Sequence, residues 1–265
     1  MYQSFRFLTR NLAFVFFCLL FTSVASFASA AELYYYQLKI YHVKTQAQED
    51  RLDHYFQYAY LPALHKIGIQ NVGVFKPVAG DTLGKRVYVL IPFRTWTDLE
   101  NVAQKLNKDT AYLSAGKDFI DAAYNDAIFT RFETIILRAF PKMPKPAVPE
   151  LTSNKSTRVY ELRSYESTTE KININKVSMF NDGDEVALFK RLNFNAVFYS
   201  EVIAGSHMPN LMYMTTFNDK ADRDKHWETF SADPVWKSLS AKPEYQHNVS
   251  KNDMVFLNPT AYSDF

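Results

Sequence analysis

One strand opening occurs twice in this chain. Tyr35-Tyr-Gln-Leu-Lys-Ile-Tyr-His42 and Val159-Tyr-Glu-Leu-Arg-Ser-Tyr-Glu166 carry tyrosine, a polar residue, leucine, a basic residue and a second tyrosine in the same order. Tyr36, Leu38 and Tyr41 fall on Tyr160, Leu162 and Tyr165 at a spacing of 124 residues. The same spacing brings Phe56 onto Phe180, Leu64 onto Leu188, Lys66 onto Lys190, Asn71 onto Asn195 and Phe75 onto Tyr199. Further on it brings Phe93 onto Phe217, Asp109 onto Asp233, Tyr112 onto Trp236 and Phe132 onto Phe256. A register held this long marks a duplicated module and restricts the chain to folds made from two copies of one unit. The copies occupy 32–140 and 158–265. Between them, 141–157 begins Pro141-Lys-Met-Pro-Lys-Pro-Ala-Val-Pro-Glu150, a proline-dense linker expected to be extended.

Each copy reads strand, helix, strand, strand, helix, strand. In the second, 158–165 alternates as a strand, 169–180 suits a helix, and Asn181-Asp-Gly-Asp184 breaks it before a short helix at 185–192. Strands follow at 195–203 and 211–217, a helix at 220–230, and a helix capped by Asp233-Pro234. A last strand covers 253–257. The first copy matches at 34–43, 47–67, 71–76, 86–93, 97–106 and 128–139, with an added helix at 117–124, and Pro62 is expected to kink its first helix. This βαββαβ order is the ferredoxin-like split βαβ unit, whose sheet carries helices on one face only. The open face needs a cover, and the sister copy is the nearest one. The expected fold is therefore α+β: two tandem ferredoxin-like repeats packed sheet to sheet as a dimeric α+β barrel-type fold within one chain.

The N-terminus reads as a signal peptide over 1–30. Arg6 and Arg10 precede the apolar run Leu12–Phe21, which is too short to span a bilayer, and Ala28-Ser29-Ala30 fits a cleavage site. Cys18 within that run lacks the small residues of a lipidation site, so a free periplasmic or extracellular protein is expected. Cleavage would remove the single cysteine, leaving the fold to rest on its core without disulfides. Arg6 and Arg10 would take two of the 30 basic residues with them, leaving 28 against 28 acidic ones. That balance argues against a nucleic-acid binder, whose affinity depends on phosphate neutralisation. No later apolar stretch is long enough to cross a membrane.

Several segments resemble the NIPSNAP family. They are Tyr160-Glu-Leu-Arg-Ser-Tyr165, His226-Trp-Glu-Thr-Phe230 followed by Asp233-Pro-Val-Trp236, Phe180-Asn-Asp-Gly-Asp-Glu185, and Met208-Pro-Asn-Leu-Met-Tyr-Met214. The second copy is similar over its whole length. The first is looser, with Tyr36-Gln-Leu-Lys-Ile-Tyr41 and no Asp-Pro-x-Trp. The resemblance implies a ferredoxin-like, dimeric α+β barrel-type fold and brings no catalytic residues with it.

Chemistry could sit on the polar face of the paired strands. Alternation separates Tyr160, Leu162 and Ser164 from Glu161, Arg163 and Tyr165, and Tyr36, Leu38 and Ile40 from Gln37, Lys39 and Tyr41. The apolar set suits the helix-covered side, which would turn Lys39, Tyr41, Glu161, Arg163 and Tyr165 toward the opposing sheet. There they would form either an ion-pair and tyrosine network that fixes barrel register, or the floor of a pocket holding an anionic or carbonyl-bearing molecule through Arg163. The six histidines form no H-x-x-x-H or H-E-x-x-H pair, so no metal site is indicated. No histidine stands out as a haem ligand, and no cofactor is indicated. Asp182, Asp184 and Glu185 around Gly183 read as a helix-breaking turn, too compact for a calcium loop. Trp227 and Trp236 are expected in the core, the alternative being an exposed aromatic interaction patch. There is no nucleophile elbow, P-loop or G-x-G-x-x-G. The function expected is an exported module that binds a small molecule or a protein partner, with homo-oligomers open. The alternative is an enzyme of the monooxygenase or haem-dependent kind known on similar barrels.

Overall fold

In the computed structural model, which describes residues 32–80, 82 and 84–265, the first copy begins β1 (Tyr35–His42), α1 (Gln46–Tyr55) and α2 (Leu61–Lys66). It continues β2 (Gly73–Pro77), β3 (Arg86–Phe93), α3 (Trp96–Leu106), α4 (Thr110–Ala115), α5 (Lys117–Ile120) and β4 (Arg131–Ala139). The second copy runs β5 (Val159–Glu166), α6 (Glu170–Asn181), α7 (Glu185–Arg191), β6 (Phe198–Ala204), β7 (Asn210–Phe217), α8 (Lys220–Ala232), α9 (Pro234–Ser240) and β8 (Lys251–Pro259). The signal-peptide reading falls on residues outside those described. Three helix starts repeat with their caps. Thr45 and Thr169, Thr95 and Asp219, and Asp109 and Asp233 each accept a backbone N–H from the first turn that follows.

All eight strands close into one barrel in the order β1-β3-β2-β8-β5-β7-β6-β4. The two copies are hydrogen-bonded at both seams, where β2 pairs with β8 and β4 with β6. Among the described residues no strand edge is left open. The lumen is filled by inward residues of both copies, among them Tyr36, Leu38, Phe75, Leu137, Tyr160, Leu162, Phe198 and Met214. Two outer cores lie between the barrel and the helices. One, around Tyr41, Leu52, Phe56 and Val89, belongs to the first copy, and the other, around Phe180, Phe189, Tyr213 and Phe230, to the second.

Three expectations need correction. First, the strand faces are reversed: Tyr36, Leu38, Ile40, Tyr160 and Leu162 look into the lumen, while Tyr41 and Tyr165 belong to the outer, helix-covered cores, on the same strand face as Lys39, Glu161 and Arg163. A lumen walled by eight strands is shielded from water along most of its length, so the apolar set belongs there. A helix on the outer face can bring long polar side chains onto a strand's charges. Second, the constant spacing slips. Ile69 N–H donates to the Leu64 carbonyl as Phe194 N–H does to that of Phe189, and Phe75 faces Tyr88 as Ser200 faces Met212. Leu64, Lys66, Asn71 and Phe75 thus correspond to Phe189, Arg191, Ala196 and Ser200, one residue later than expected, because the second copy gains a residue at its Asn181–Asp184 break. Tyr41 faces Phe132 and Tyr165 faces Asn252, so Phe132 corresponds to Asn252, not Phe256. Third, the helix around Pro62 does not end in a simple kink. It widens into a π-helical turn at Phe56–Tyr60, in which Leu61 N–H reaches back to the Phe56 carbonyl. Proline has no N–H to continue the regular ladder, and the wider turn absorbs the change.

Candidate functional site

In the second copy the outer strand face meets α8 through Glu161. This carboxylate is fully buried and accepts four hydrogen bonds. The donors are Arg163 Nε at 2.7 Å, Arg223 Nε at 2.9 Å, Arg223 Nη2 at 2.7 Å and Trp227 Nε1 at 2.7 Å. Arg223 and Trp227 stand one turn apart on α8, so a single helical face delivers both. The Arg163 guanidinium lies 3.9 Å from the centre of the Trp227 ring, within cation–π range. Its Nη1 donates to Tyr165 Oη at 3.1 Å, and the Tyr165 and Tyr213 hydroxyls share a hydrogen bond of 2.7 Å. From the other side, Lys176 of α6 donates to Glu185 Oε2 at 3.0 Å and lies 4.7 Å from the centre of the Phe180 ring.

Arg163, Tyr165, Lys176, Glu185, Tyr213 and Trp227 of this cluster line a pocket of about 310 Å³ between the sheet and α6–α9, and Glu161 and Arg223 lie behind them. Arg163, Tyr165, Lys176, Glu185, Tyr213 and Asn252 supply polar atoms, while Phe189, Trp227, Phe230, Trp236 and Val249 supply apolar walls. Burial pushes the Glu185 carboxyl above its ordinary pKa, against the opposing pull of Lys176. Burial, and then the neighbouring Tyr165, push the Tyr213 hydroxyl well above the usual tyrosine value. An aromatic slot with a guanidinium and an ammonium in its walls is suited to a small planar molecule with an anionic or carbonyl end. Among the described residues no cluster of His, Cys, Asp and Glu could hold a metal ion, and no helix is long and apolar enough to cross a membrane.

The equivalent space in the first copy is filled. Where the second copy has Lys176, Tyr213, Trp227 and Asn252, the first has Leu52, Val89, Ala103 and Phe132. Phe119 of α5, which stands where the second copy has only a 3-10 turn at Pro243–Tyr245, stacks on Tyr55 with ring centres 3.8 Å apart. Lys39, the counterpart of Arg163, lies among aromatic rings, 5.4 Å from the centre of Phe132 and 6.0 Å from that of Tyr60, and burial lowers its pKa. Of the five residues singled out in the sequence, Glu161, Arg163 and Tyr165 thus meet in one cluster, and Lys39 and Tyr41 sit across the barrel in the first outer core. Lys176, Glu185, Tyr213 and Asn252 were not anticipated. Repeat comparison does flag the first and third, because a charge and a hydroxyl replace Leu52 and Val89. Trp227 and Trp236, expected as core, do pack against the second outer core and also line the pocket.

Residues 160–264 match the family model described as NIPSNAP. No curated protein matches the sequence. A provisionally assigned monooxygenase from Lactobacillus acidophilus superposes with a TM-score of 0.55 at 12% identity, over 86% of this chain and 94% of its own. One from Fusobacterium nucleatum gives 0.53 at 9% identity, over 86% and 92%. An anthrone oxidase-like protein gives 0.50 at 10% identity, over 87% and 93%. At these identities the likeness shows a common α+β barrel fold and carries no chemistry with it.

Proposed function

Given a second copy that is a NIPSNAP domain over 160–264, we propose that the protein is a small-molecule-binding module whose site is the pocket under α8. The ligand class is a small planar molecule with a carboxylate or carbonyl, its ring between Phe189, Trp227 and Trp236 and its polar end toward Arg163. The observation that carries this reading is the contrast between the copies. The same architecture folds in the first copy with Leu52, Val89 and Phe132 in place of the polar groups, so the barrel itself has no need of a polar cavity there. The enzyme alternative is favoured by one feature, the Glu185 carboxyl, whose raised pKa and pocket position suit a group that holds a proton for transfer. The similarity to proteins provisionally assigned as monooxygenases agrees with that alternative at the level of fold only.

Two measurements test the reading. Protein purified from its native host is denatured and the released small molecules are identified by mass spectrometry. A thermal-shift panel of aromatic carboxylates and carbonyl compounds is run on wild type and Arg163→Met. Binding predicts a rise in melting temperature that Arg163→Met loses. Empty extracts together with a flat panel would sink the proposal. A ligand consumed on incubation in air would favour the enzyme reading.

The signal-like N-terminus supports a site of action outside the cytoplasm. N-terminal sequencing of the native protein is expected to begin at or near Ala31, and a mature chain retaining Met1 would count against export.

A further inference from the structure

The lumen is packed along most of its length but opens at the end where β1 and β5 finish and β3, β4, β7 and β8 begin. A cavity of about 400 Å³ lies there, distinct from the pocket under α8. Its walls are the inward residues Ile40, Ile135, Leu162, Met212 and Val255. Its rim is polar, and nearly every charge on it is engaged. His42 Nε2 and Glu133 Oε1 are 2.8 Å apart, Lys251 donates to Asp253 at 2.6 Å, and Glu166 sits 3.2 Å from His207 Nδ1 and 3.5 Å from Lys251. Arg86 differs. It is half-buried, its Nε is fully buried without a hydrogen-bond partner, and among the described residues it has no ion pair. A guanidinium on the wall of a largely apolar cavity, with its Nε buried and unpaired, lacks an acceptor there.

We propose that this open end is a second binding site, for a small amphipathic monocarboxylate. Its carboxylate pairs with Arg86 and its apolar body lies against Ile40, Ile135, Leu162, Met212 and Val255. The single charge follows from the rim. Glu133 and Asp253 face the same cavity and would repel a second anionic group, which disfavours dicarboxylates and phosphate esters. The apolar body follows from Ile40, Ile135, Leu162, Met212 and Val255, and the wall's Ser164 and Asn210 are hydrogen-bonded to each other.

The test is calorimetric titration of the purified protein with octanoate, against octanol and octanedioate as controls. Octanoate is expected to bind, with octanol and octanedioate at least tenfold weaker. Arg86→Gln is expected to weaken octanoate about tenfold or more, as loss of a charge-assisted pair does, and to leave the ligand-free melting temperature unchanged or higher, since among the described residues Arg86 has no ion pair to lose. Val255→Phe, which keeps Arg86 and narrows the cavity, is expected to weaken octanoate as well. Arg163→Met, in the other pocket, is expected to bind octanoate as wild type does. The proposal is overturned if octanoate does not bind, if either control binds equally well, if Arg86→Gln binds unchanged, or if Arg163→Met abolishes binding.

Discussion

Glu161 shows what a buried charge requires. Its carboxylate has no exposure and is matched by two guanidiniums and an indole N–H. The consequences of removing each partner are therefore unequal. Arg163→Met leaves Glu161 with both Arg223 bonds and Trp227, so the expected loss is about 1.5–3 kcal/mol, the scale of a hydrogen bond to a charged group. Glu161→Gln strands two guanidiniums under α8 and should cost about 3–5 kcal/mol, the scale of a broken buried pair. Urea denaturation of the two variants checks the order, and equal losses would mean that Arg163 is the partner Glu161 cannot do without. Glu185 makes a pH prediction. Its folded pKa is raised, so above 4.5 the native state holds a proton that the unfolded state has released. The stability it contributes must then fall as pH rises through its folded pKa. The unfolding free energy of wild type minus that of Glu185→Gln should decrease with pH over that window. An increase would mean that the charged Lys176–Glu185 pair is the favoured form.

The differences between the copies are carried by whole elements. The first copy spends four extra residues before its last strand, and α5 lies in that stretch. From α5, Phe119 reaches Tyr41, Tyr55 and Phe129, and so fills the volume that stays open in the second copy. Phe119→Ala should cost about 2–3 kcal/mol, short of the full price of a core phenylalanine because Phe119 is partly buried. Chemical denaturation reads that loss, and a change below about 0.5 kcal/mol, the scale of an ordinary surface substitution, would show that α5 is only a surface addition. In the second copy, α8 does the opposite. Its Arg223 and Trp227 are turned inward onto β5, converting a helix that would otherwise seal the sheet into one wall of a cavity.

At the scale of the molecule, closure ties the copies together. β2 and β4 find their outer partners only in β8 and β6, and the lumen core draws on both halves. Residues 32–140 expressed alone would expose two strand edges and half of the lumen. Such a fragment is expected to aggregate or to pair with itself, as seen by size-exclusion chromatography with light scattering. A cooperatively unfolding monomer would contradict the barrel. The duplicated sequence explains why self-pairing is the natural alternative: each half is built to meet a close copy of itself.

The repeat, the βαββαβ order and the barrel class were all legible in the sequence, because they depend on local periodicity and on capping residues such as Asp233 that act within a few positions. The two faces of β5 were legible for the same reason, since alternation along a strand is a local property. Which face looks inward was not. Alternation separates Leu162 from Arg163 but says nothing about whether helices or strands lie opposite. Only the closed barrel decides this, by sealing one face from water and placing Arg223 and Trp227 of α8 against the other. The site was hidden for a related reason. Lys176, Glu185, Tyr213 and Asn252 come from four separate elements and meet only once α6 and α7 pack onto β5, β7 and β8. The register slips at Asn181–Asp184 and before β4 were also tertiary facts, because hydrogen bonding between neighbouring strands, not spacing along the chain, determines which residues correspond.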